Sequence, residues 1–60
     1  MTIELNDWVI NNVDEDYTKY PYLVARLSED EWWFYGCFKT KEGAEICALN
    51  IGGRVFSTRE

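Results

Sequence analysis

The sequence predicts a small α+β domain, and three observations carry that reading. Several short runs are rich in β-branched and aromatic residues, only one segment has helical spacing, and that segment ends in Gly52-Gly53 just before the last strand-like run. In chain order the elements read β-β-β-α-β, a small antiparallel sheet with one helix packed on one face.

Asp7-Trp8-Val9-Ile10-Asn11 has the composition of a short strand, and Asn11–Asp16 reads as the polar loop after it. Pro21 disfavours helix at Tyr20 and stands just before Tyr22–Leu27, where alternation returns as a second strand. Ser28-Glu29-Asp30-Glu31 is a compact connection into Trp32–Lys39, whose aromatic density favours a strand, so the pair is expected to form an antiparallel hairpin. Thr40 is a natural N-cap. Ala44, Cys47, Ala48 and Ile51 then recur on one helical face, and Gly52-Gly53 supply the left-handed stop. Arg54–Thr58 returns the chain to a sheet edge.

Alternation along the third strand assigns Trp32, Phe34, Gly36 and Phe38 to one face, and Trp33, Tyr35 and Cys37 to the other. Gly36 lets a helix approach, and the small residues Ala44, Cys47 and Ala48 suit that contact, so the helix is placed on the Gly36 side. One short helix covers only one side of such a sheet. Trp33 and Tyr35 are therefore expected to face outward, with either Tyr22 and Val24 or Leu23 and Ala25 beside them. The alternative is that residues 7–13, or the loop 13–21, fold back over this face and bury it.

Sixty residues suffice for one domain spanning 1–60, near the lower size limit, because so short a chain hides only about 60% of its unfolded surface. At 47% hydrophobic and 17% aromatic it is too apolar for a disordered tail. No run approaches the roughly 18 to 20 apolar residues of a membrane span, and Met1–Leu5 lacks the basic start of a signal peptide, so no membrane partner and a cytoplasmic location are expected. With no His, and with Cys37 and Cys47 ten residues apart, a zinc site, a nucleophilic triad and a redox motif all lack their parts. The cysteines read as two small buried hydrophobes, and neither an enzyme nor a cofactor is expected.

The net charge of −5 is unevenly placed. Residues 1–31 carry eight acids against Lys19 and Arg26, whereas residues 32–60 are close to neutral. Two triplets, Asp14-Glu15-Asp16 and Glu29-Asp30-Glu31, would repel phosphates and attract a basic surface. The expected function is a small acidic protein-interaction module. The triplets would steer a partner with a basic surface, and Tyr22, Trp33 and Tyr35 would supply anchors. One competing reading is a self-associating structural or regulatory protein, and a homodimer is the leading partner hypothesis. Another is a single-stranded nucleic-acid binder using the sheet aromatics. Trp33–Phe38 loosely matches such a strand, but Asp30 and Glu31 stand where a basic residue belongs, so direct nucleic-acid binding is disfavoured.

Trp32-Trp33-Phe34-Tyr35-Gly36-Cys37-Phe38, followed by Ala44, Ala48 and Ile51-Gly52-Gly53-Arg54-Val55-Phe56, resembles small uncharacterised proteins of bacterial phages and prophages. The match covers the second half of the chain and consists of packing residues. The resemblance implies an inhibitor that occupies the surface of a host protein, such as a nucleic-acid-binding defence factor. It carries over no site residue.

Overall fold

Asn6 and Asp7 both take positive φ, 48° and 71°, which is the backbone of a tight two-residue hairpin turn. That turn creates a strand the sequence reading did not contain. In the computed structural model, which describes residues 1–59, β1 (Ile3–Leu5) pairs antiparallel with β2 (Trp8–Asn11) in the register Ile3 to Ile10 and Leu5 to Trp8. Asp7 thus belongs to the turn, and the first expected strand starts at Trp8. A 3-10 helix (Glu15–Lys19) follows, then β3 (Tyr22–Ser28), β4 (Glu31–Phe38), α1 (Lys41–Ile51) and β5 (Arg54–Ser57). The α+β class and the helix between the last two strands are as expected, and one further strand precedes them.

The five strands form one sheet in the order β1-β2-β4-β3-β5, with β5 at an edge. The sheet is mixed, not antiparallel throughout, because β2 runs parallel to β4. The reason lies in the segment between β2 and β3. It carries the chain onward past the end of β2, so that β3 returns antiparallel and β4 runs forward again. Ser28 pairs with Glu31 across a second two-residue turn, in which Glu29 and Asp30 have φ of 52° and 67°.

Along β3 and β4 the register shifts between Val24, which faces Gly36, and Ala25, which faces Phe34. Tyr35 is the extra residue of a β-bulge. A bulge reverses the side-chain phase, so strict alternation fails here: Phe34 lies on the opposite face from Gly36 and Phe38. The helix does sit on the Gly36 and Phe38 side. Ala44 and Ala48 pack there against Val24, with Tyr22, Phe38, Cys47, Ile51 and Val55 around them. The Thr40 hydroxyl accepts the Gly43 N–H at 3.1 Å, and Gly52, at φ 68°, ends the helix in the left-handed region.

The other face is also closed, by the sheet's own curvature and by the segment after β2. Ile10, Val13, Leu23, Ala25 and Phe56 form its buried core, with Trp8, Tyr17, Trp32 and Phe34 packed around them. Trp8 and Phe56 stand on strands three places apart in the sheet, yet their ring centroids are 6.0 Å apart, and Trp32 meets both edge to face. The Arg54 guanidinium caps the cluster 4.7 Å above the Trp8 ring. The fold-back alternative holds only in part: Val13 and Tyr17 from the segment after β2 do pack on this face, but it carries Trp32 and Phe34, whereas the Trp33 and Tyr35 rings that alternative would bury stay exposed. Leu23, Val24 and Ala25 are all fully buried, so neither pair flanking Trp33 in the sequence reading faces outward.

Candidate interaction surface

β4 pairs with β3 along its length, so the cross-strand register decides what surrounds each exposed ring. Trp33 faces Arg26 on one side and Asn11 on the other. Pairing partners share a face, and so do residues two apart. Val9, Asn11, Glu31, Ser28 and Glu4 therefore share the face of Trp33, which is the helix side of the sheet. α1 packs over Val24, Phe38 and Val55 and leaves this half bare. Trp33 remains 43% exposed and Val9 51% exposed. Beside the indole, Arg26, Ser28 and Trp33 line an open concavity of ≈ 320 Å³.

Because β2 and β4 run parallel, the turns that precede them lie at the same end of the sheet. Asp7, Glu29 and Asp30 gather there, next to Glu4 and Glu31. The other acidic triplet, Asp14-Glu15-Asp16, is elsewhere. Asp14 and Asp16 line a different concavity of ≈ 230 Å³ with Tyr20, Phe34, Tyr35, Gly36 and Cys37. Glu31 and Cys37 are six residues apart along β4, about 20 Å at strand spacing, so the two triplets do not form one field. Asp16 is 3.4 Å from Lys19 in an exposed ion pair.

The anchors separate in the same way. Tyr22 is half-buried against the helix-side cluster, away from Trp33. Tyr35 is 58% exposed but belongs to the Asp14 concavity, not to the Trp33 surface. Of the three expected anchors only Trp33 stands on the bare half of the sheet. The sequence reading missed its companions Val9, Arg26 and Glu4. Val9 alternates with Trp8 and Ile10 and so could have been placed on the opposite face from them, but the parallel register that sets it near Trp33 leaves no local trace.

Cys37 and Cys47 are free thiols. Burial, and secondarily the Asp14 carboxylate, push the Cys37 thiol above its ordinary value of 9.0. Among the described residues no group of three or more acids or cysteines is arranged to hold a metal ion, and no helix is long and apolar enough to cross a membrane. Comparison with family models, curated proteins and solved structures found no match.

Proposed function

We propose that this chain is an acidic protein-interaction module that covers a basic surface of a partner protein. The observation that carries the reading is the bare half of the helix-side sheet face, where Trp33 and Val9 stand exposed among Glu4, Glu31 and the acidic turn residues Glu29 and Asp30. An exposed indole supplies short-range affinity, and the surrounding acids raise the rate at which a cationic partner arrives. The same acids weigh against a phosphate backbone stacking on Trp33. The phage resemblance suggests the partner class: a host protein whose basic groove normally holds nucleic acid and which is inhibited by occlusion.

The test places the photo-crosslinking residue benzoylphenylalanine at Val9, which leaves Trp33 in place, and at Glu42 on the helix as a control. Cross-links in cells to a protein with a basic surface, formed from position 9, reduced by Trp33→Ala and weakened by salt, are the expected result. Cross-links only to a second copy would replace this reading with self-association. No position-specific product at 9 would overturn both.

A further inference from the structure

Pairing between β2 and β4 is confined to Ile10 with Trp32 and Asn11 with Trp33. The chain then turns out of the sheet at Asn12, where φ is 62°. From Phe34 to Phe38 the β2-side edge of β4 has no strand beside it. Among the described residues no loop or turn backbone hydrogen bond reaches it either. Such an edge presents outward N–H and C=O groups in a row, a template for an added strand. The segment that leaves β2 runs past this edge without closing on it, and the ≈ 230 Å³ concavity opens between the two. Its β4 wall is Phe34, Tyr35, Gly36 and Cys37, and its opposite wall is Asp14, Asp16 and Tyr20.

We propose that this edge takes an extended segment of a partner protein bearing Lys or Arg, which adds as a short strand in line with β2 and sets its cationic side chains against Asp14 and Asp16. Backbone pairing supplies a sequence-independent part of the affinity, and the two carboxylates select the sign of the side chains. Asp14 is close enough to the edge for its charge to act on Cys37. Charge also decides against the other obvious occupant, a second copy of this chain. Two β4 edges pairing about a two-fold axis would bring Asp14 and Asp16 of both protomers to the same seam, on molecules that each carry −5. These acids guard the edge against like chains, and a basic strand is what that guard admits. This surface is distinct from the Trp33 face, so either can fail without the other.

The experiment uses the full chain labelled with nitrogen-15 and a terminally blocked peptide of alternating Lys and Val, with a Glu and Val peptide as control. The expected result is slowed hydrogen exchange within residues 34–38 and amide shift changes at 34–38 and at Asp14 and Asp16 on adding the Lys peptide, both absent with the Glu peptide. Asp14→Asn with Asp16→Asn should raise the dissociation constant roughly threefold to tenfold, with Asp16 contributing less because it already pairs with Lys19. Should that double variant lose its native spectrum, raising the salt concentration on the unaltered chain serves instead, and binding must weaken. Shifts confined to Val9, Trp33 and Glu31, equal response to both peptides, or no response would each overturn the proposal.

Discussion

Ile10 stands directly across from Trp32 in parallel register. From this one pairing follow the placement of Asn11 beside Trp33, the gathering of both acidic two-residue turns at one end, and the open edge of β4 beyond Trp33. It also brings the Trp32 ring under Trp8 and Phe56, at centroid distances of 5.5 and 5.3 Å.

Neighbouring tryptophans should therefore behave oppositely. Trp32→Ala removes the centre of the aromatic cluster and should cost about 2–4 kcal/mol, out of a total near 3–9 kcal/mol for a chain of this size. Trp33→Ala, on the bare face, should cost about 1 kcal/mol or less while speeding partner dissociation. Urea denaturation of the two variants measures the difference, and equal losses would contradict the face assignment.

The two consecutive glycines also differ. A methyl group at Gly53 would meet the Ala25 carbonyl at 2.6 Å, so Gly53→Ala must push β5 from β3 and should cost about 1–3 kcal/mol. Gly52 has φ 68° with open space around it, and Gly52→Ala should cost only about 1 kcal/mol of backbone strain. Thermal unfolding should rank Gly53→Ala as the less stable.

Glu29 and Asp30 hold left-handed φ without being Gly or Asn. Replacing them by Asn and Gly suits the turn and should stabilise the chain by about 1 kcal/mol, raising its melting temperature by about 4–8 °C. The same change removes two acids next to the Trp33 face. On the proposed reading, association with the partner captured from position 9, followed by stopped flow, should slow and lose part of its salt dependence.

Cys37 keeps its proton longer in the folded chain than in the unfolded one. The stability this contributes is fully present below the thiol's ordinary value of 9.0 and is lost as pH rises through the raised folded value. In a Cys47→Ala background, iodoacetamide should modify Cys37 more slowly than a free thiol near pH 8. Asp14→Asn removes the secondary cause of the shift and should speed the reaction, and an unchanged rate would show that the carboxylate does not reach the thiol.

Much of the local structure was legible. Thr40 as N-cap, Gly52 as helix stop and the inward face of Ala44, Cys47, Ala48 and Ile51 follow from residue chemistry within one or two turns. The hairpin of β3 and β4 follows from two aromatic runs around a short acidic link. The hairpin of β1 and β2 was hidden because Asn6 and Asp7 form a positive-φ turn without glycine, and Ile3-Glu4-Leu5 is too short to signal a strand alone.

The candidate surface was legible only in its single ring, Trp33. Its companions depend on where β2 docks, and the bulge at Tyr35 reverses which residues follow Trp33 onto the helix face. The sequence by itself determined the class of fold, the helix and its caps, the excess of aromatic surface and the acidic first half. The tertiary structure alone decided that this first half curls over the Trp32 side and leaves the Trp33 side bare. The physical reason is that composition and spacing act between residues close in the chain, whereas strand order, parallel register and sheet curvature arise from contacts between segments some twenty or more residues apart, as between Ile10 and Trp32.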